Sequence, residues 1–93
     1  TGEIMEFKGE YTHVDIGDNI GWPTIGVYVP KGAEEASAIA YNAMLLENGY
    51  VVAGKMYGDD MYNYPGTTVA YHAVYLLDDC FIIEMCHVDD LDK

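Results

Sequence analysis

Hydrophobic and polar positions are patterned most regularly over residues 67–88, where TTVAYHAVYLL and CFIIEMCHV flank Asp78-Asp79. Two β-branched and aromatic runs around a short acidic break predict a β-hairpin. With Asp78 and Asp79 as a two-residue turn, Leu77 opposes Cys80. One face then carries Ala70, His72, Val74, Leu76, Phe81, Ile83, Met85 and His87. The other carries Val69, Tyr71, Ala73, Tyr75, Leu77, Cys80, Ile82, Glu84, Cys86 and Val88. Both faces are apolar enough to need cover, so one helix leaves a face for self-association or a partner. A register shift of one residue would exchange the faces.

The rest of the chain reads as cover or extension of this hairpin. Residues 3–16 show short alternations broken at Gly9-Glu10 and predict one or two short strands. Residues 17–21, GDNIG, form a turn-rich loop closed by Trp22-Pro23, with the indole expected as a lid on the core. Residues 24–29 predict a strand with Ile25, Val27 and Val29 on one face. Residues 33–48 predict a helix: Glu34 and Glu35 suit its positive N-terminal end, and Asn48-Gly49 supplies a left-handed stop. Ala36, Ile39, Ala40, Ala43 and Leu46 share a stripe at helical spacing, expected to pack on the sheet, with Tyr41 and Leu45 off it. Residues 50–57 predict a further strand, parallel or antiparallel to the one before the helix. Residues 58–66, GDDMYNYPG, have no sustained period and read as a loop, and the tail from Asp89 reads as frayed and solvated.

Length and charge narrow the function more than any motif does. Ninety-three residues make one domain, spanning residues 1–93. Sixteen Asp plus Glu against four Lys and no Arg give a net charge of −12, while 51% of residues are hydrophobic, which describes a folded body with an acidic coat. Four scattered lysines make no basic patch, so direct nucleic-acid binding and attraction to anionic membranes are both disfavoured. No apolar run approaches the ~18 residues of a spanning helix. The charge matches a basic protein surface, or serves solubility alone.

Cys80 and Cys86 fall on one face of one predicted strand. Six residues at ~3.3 Å each hold their Cα atoms near 20 Å apart, beyond the ~7 Å a disulfide tolerates. Free thiols suit a reducing compartment, and the expected location is the cytoplasm.

Metal and catalytic chemistry find little support. In the register above His72 and His87 share a face while both cysteines point to the other, leaving at most a two-histidine site. Cys86 and His87 are neighbours in a strand and face opposite ways. Asp59-Asp60, Asp78-Asp79 and Asp89-Asp90 are paired acids in exposed turns, and no dinucleotide, P-loop, nucleophile-elbow or EF-hand spacing occurs. We expect no enzyme activity, no metal and no cofactor.

These readings converge on a small α+β domain: an antiparallel-rich sheet of four or five strands with one α-helix packed on one face. Carboxylates spread over such a body imitate phosphates and fit the basic groove of a nucleic-acid-binding protein. That is the electrostatic logic of DNA-mimic inhibitors directed at restriction or CRISPR effectors, and of immunity proteins and antitoxins that block nucleases. The comparison rests on charge and size, not on a shared motif. Expected partner-binding residues are Asp59, Asp60, Met61, Tyr62 and Tyr64 in the loop, with Asp78 and Asp79 at the hairpin tip. The alternative is an assembly module that forms a homodimer through an exposed sheet face.

Overall fold

The computed structural model describes residues 7–19, 22–77 and 79–92, with the side chains of residues 18, 19, 22, 23, 76 and 77 outside that description. In chain order the elements are β1 (His13–Asn19), β2 (Trp22–Tyr28), α1 (Glu34–Glu47), β3 (Val51–Met56), β4 (Asp59–Asn63), β5 (Val69–Leu77), β6 (Cys80–His87) and a 3₁₀ turn at Val88–Asp90. One helix packs against one antiparallel sheet, an α+β arrangement, and the sheet has six strands in the order β1-β2-β6-β5-β4-β3 instead of four or five. Strands β2 and β3 run in the same direction with β6, β5 and β4 between them, so α1 carries the chain across the sheet without making a parallel pair.

The additional strand comes from the segment read as a loop. Tyr57 (φ 53) and Gly58 (φ 86) both have positive φ and join Met56 to its partner Asp59, which are the marks of a two-residue type I′ hairpin turn. Residues 59–63 therefore form a strand despite their acidic start, because this turn matches the natural strand twist. At the other edge, β1 runs through Gly17, Asp18 and Asn19, so most of the predicted GDNIG loop is ladder; the turn itself and the Trp22 indole lie outside the described residues and side chains. Of the first short strand anticipated ahead of Gly9-Glu10, residues 3–6 lie outside the described residues, and Phe7 and Lys8 are not in a strand.

The helix bounds agree with the sequence reading, but its orientation does not. Ala38, Tyr41 and Leu45 are buried, whereas Ala36, Ile39, Ala40, Ala43 and Leu46 face outward. A helix that is apolar nearly all round can bury either stripe. The face with Tyr41 and Leu45 buries more volume, at about 1.5–3 kcal/mol for a large side chain. It also aims Asn42 at the sheet. Tyr41 meets Phe81 at 6.1 Å between ring centroids, and Phe7 closes edge-on against Phe81 at 5.1 Å. With Val27, Val29, Tyr71, Ala73 and Ile83, these residues form the main core.

A second, smaller core lies on the reverse face: Met61, Ala70, Cys86 and Leu91. It is closed by the tail, which was expected to be solvated. After the 3₁₀ turn, Leu91 packs on Gly54, and Asp92 exchanges backbone hydrogen bonds with Lys55 at 2.7 and 2.9 Å. Gly54 permits this approach, since a Cβ there would stand 2.7 Å from the Asp92 carbonyl oxygen. The spare sheet face is thus partly covered by the chain itself.

In the β5–β6 hairpin Leu77 does oppose Cys80, but Tyr75 then opposes Phe81, leaving Leu76 as a bulge. This one extra residue exchanges the faces of β5 below it. Tyr71, Ala73, Phe81 and Ile83 turn to the helix; Ala70, His72, Ile82, Glu84 and Cys86 turn to the reverse side. His72 and His87 consequently stand on opposite faces, and His72 shares the cysteines' face, the reverse of the sequence expectation.

Candidate functional site: a split seam between β4 and β5

The pairing of β4 with β5 is limited to Tyr62↔Tyr71 and Asn63↔Ala70, although both strands continue past these residues. Three local interactions hold the seam closed at one end and open at the other. At the closed end, the Asn63 side-chain amide donates to the Val69 carbonyl at 2.8 Å and to Thr67 Oγ1 at 2.9 Å. Beyond it, the Asn42 amide reaches down from α1, donating to the Ala73 carbonyl at 3.0 Å and accepting the Ala73 N–H at 2.7 Å. A primary amide can present an N–H and a C=O side by side as a peptide group does, so Asn42 satisfies the β5 edge where a strand residue would otherwise sit. The β3–β4 hairpin is tied to itself by Lys55 Nζ and Asp60 Oδ1 at 2.7 Å.

Between the parted strands lies a cleft of about 540 Å³, lined by Ile39 and Asn42 of α1 and by residues of β4, β5 and β6. Asp59, Asp60 and Tyr62 form the β4 wall; Val74 and Tyr75 form the β5 wall. At the base, His72 Nε2 and Glu84 Oε1 lie 2.8 Å apart, directly opposite in the β5–β6 register, with the imidazole only 3% exposed. An ionised carboxylate accepts only, so a charged Glu84 takes this bond from the imidazole as donor. No lysine or arginine is among the lining residues, while three carboxylates are.

The local charges leave their mark on neighbouring groups. Burial pushes the Tyr62 hydroxyl above its ordinary pKa, and the Asp60 and Asp59 charges add to this. The hydrogen bond to Asp60, then its charge, holds the Lys55 ammonium on more firmly than usual. Both effects are those expected of a negative cleft mouth.

A second acidic group forms where β1, β2 and the β5–β6 turn meet. Tyr28 stacks on His13 at 4.2 Å between centroids. Its hydroxyl pKa is raised, first by Cys80 and then by Asp15, with Asp79 contributing. Cys80 is in turn pushed up by burial and then by Asp79, and Cys86 by burial and then by Asp90. Raised thiols are poor nucleophiles at neutral pH. Among the described residues no group of three or more His, Cys, Asp or Glu has the geometry to hold a metal ion.

The residues singled out from sequence are only partly brought together. Asp59, Asp60 and Tyr62 line the cleft. Met61 points to the reverse face and is fully buried, so it offers no contact surface; the expectation of an exposed loop overlooked strand alternation. Tyr64 is exposed at the other end of β4, edge-on to Tyr50 at 5.4 Å. Asp79 is exposed at the hairpin tip across the sheet, beside the Tyr28 group, and Asp78 lies outside the described residues. Sequence reasoning missed Asn42, His72, Tyr75 and Glu84 as cleft residues. The available signal was Glu84, a single carboxylate inside the apolar run CFIIEMC, which needs a polar partner on the facing strand.

No family model, curated protein or solved structure matches this chain. No helix among the described residues is long and apolar enough to cross a membrane.

Proposed function

We propose that this protein is an acidic cytoplasmic binding protein, not an enzyme, that occupies the basic groove of a nucleic-acid-binding protein and competes with that protein's DNA or RNA. The observation that carries this reading is a net charge of −12 with no arginine, distributed over both ends of the sheet. Glu10, Glu35, Asp59 and Asp79 are exposed at one end by the strand order; Glu47, Asp89 and Asp90 are exposed toward the other. The longest dimension of the body is 34 Å, close to one turn of B-DNA at about 34–36 Å. Charges so spaced meet a groove shaped for a duplex, and their attraction weakens as salt rises. Asp59, Asp60, Tyr62, Tyr64, Asp78 and Asp79 are the contact residues of this reading, without Met61.

The test is capture from host lysate on immobilised protein, at low and high salt and with competing duplex DNA or RNA. The reading expects a nucleic-acid-binding protein, released by salt and by competitor. Capture that is indifferent to both, or none, overturns it.

A second reading, a homodimeric assembly module, is favoured by a different observation. Ile39 (61% exposed) and Leu46 (49%) stand outward on α1 among alanines, which permit close helix approach. The reverse sheet face offers less surface for this, since the tail covers part of it. Light scattering after size exclusion decides it: a monomer at micromolar concentration removes the dimer.

A further inference from the structure

We infer that the split seam between β4 and β5 is a receptor for one arginine side chain presented by the protein partner. The inference rests on the proposed function and specifies where on this chain the basic partner is gripped.

Four features of the cleft select an arginine. Its volume, about 540 Å³, falls in the range of roughly 300–1,000 Å³ typical of small-ligand sites, so it admits a side chain and not a folded element. Its negative charge is placed at two levels, with Asp59 at the mouth and Glu84 at the base, the latter oriented by its bond to His72. Ile39 and Val74 supply an apolar lining for an aliphatic stem. Tyr62 and the half-exposed Tyr75 supply aromatic surface on which a planar guanidinium stacks, as a lysine ammonium does less well.

The occupant has to come from another molecule. This chain contains no arginine, and its nearby Lys55 is bound to Asp60 at the rim. The cleft also has a built reason to stay open. Closing β4 onto β5 in a regular ladder would require the Ala73 backbone groups, which Asn42 already occupies. A strand-like edge filled by a side chain leaves a gap of side-chain size next to it.

The test uses three capped tripeptides, identical except for a central arginine, lysine or citrulline, titrated into the intact protein and followed by amide chemical shifts. The arginine peptide is expected to shift Tyr62, His72, Tyr75 and Glu84 together. The lysine peptide should bind more weakly, and citrulline, which is uncharged and similar in shape, should not bind. Asp59→Asn, an exposed change that leaves the fold intact, should weaken arginine binding by about two- to fivefold. Tyr75→Ala should weaken it by a similar factor. Asp89→Asn with Asp90→Asn, on the distant tail, should leave it unchanged.

Shifts spread equally over Glu35, Glu47 and Asp89, or equal loss from the tail variant, would mean diffuse attraction and would overturn the receptor while leaving the proposed function standing. Absence of arginine-dependent shifts overturns it as well. Conversely, arginine binding in the seam combined with failure of the lysate capture removes the nucleic-acid-binding partner and keeps the receptor.

Discussion

Asn42 on the helix makes both hydrogen bonds to Ala73 that a neighbouring strand would make, at 3.0 Å to its carbonyl and 2.7 Å from its N–H. Together with the burial of Tyr41 and Leu45, this side chain sets the rotation of α1, and it occupies the backbone groups that a longer β4–β5 ladder would need. Asn42→Ala leaves a partly buried donor and acceptor unmet, at a cost of about 1–3 kcal/mol. Chemical denaturation should show a correspondingly lower midpoint. Asn42→Asp keeps the acceptor for the Ala73 N–H but sets a carboxylate against the Ala73 carbonyl, and should be at least as destabilising. Midpoints unchanged in both variants would contradict the role given to Asn42.

Gly54 lets the tail close the smaller core. A Cβ at this position would stand 2.7 Å from the Asp92 carbonyl oxygen and 2.8 Å from Leu91 Cβ, both poorly able to yield. Gly54→Ala should displace the tail, cost about 1–3 kcal/mol and uncover Cys86. Because burial and then Asp90 raise the Cys86 thiol, losing the tail lowers its pKa and speeds its alkylation. Cys80, outside this core, is the internal reference. Equal alkylation rates for Cys86 in the variant and the parent would contradict the packing described.

Tyr57 occupies the first left-handed position of the β3–β4 turn with φ 53 and is 73% exposed. A tyrosine pays for that conformation without compensating burial. Tyr57→Asn should therefore stabilise the protein by about 0.5–1 kcal/mol, since asparagine tolerates this region and suits the turn type. A rise in thermal midpoint is the expected reading, and a fall would show that the ring makes a contribution of its own.

Alkaline pH should destabilise the fold in a defined window. Burial, as the leading cause, raises Cys80, Cys86, Tyr41, Tyr50, Tyr62 and Tyr71, with Tyr41 shifted most. These groups favour their neutral forms when folded, so the unfolded chain gives up protons first as pH rises. Stability is retained below the ordinary thiol value of 9.0 and falls above it, more steeply past the ordinary phenol value of 10.0. The fall continues until the folded groups ionise as well. Denaturation midpoints measured across this window should decline, and Tyr41→Phe should decline less. Midpoints that stay level through it would contradict the burial of these side chains.

The sequence was legible where one physical cause dominates. The bounds of α1 follow from Glu34-Glu35 and Asn48-Gly49, and the β5–β6 hairpin follows from its two apolar runs. Faces were not legible, because choosing them depends on what packs opposite. Either stripe of α1 is apolar, and the inward one is decided by the volume of Tyr41 and Leu45 and by the reach of Asn42 to Ala73. Bulging of Leu76 reverses the faces of β5 for the price of one residue that the pattern does not mark. The seam was hidden for the same reason: Asp59, Asp60 and Tyr62 could be named, but Asn42, His72, Tyr75 and Glu84 join them only through tertiary pairing.

Under the proposed function this protein competes with nucleic acid for a basic groove. The most direct measurement takes the captured partner bound to labelled duplex or single-stranded nucleic acid and follows fluorescence anisotropy as this protein is added. Anisotropy should fall to the value of free nucleic acid as the partner is saturated, with an apparent affinity that declines steadily as salt increases. Anisotropy that stays high or rises while the two proteins form a complex would contradict it, since the groove would then remain open to its nucleic acid.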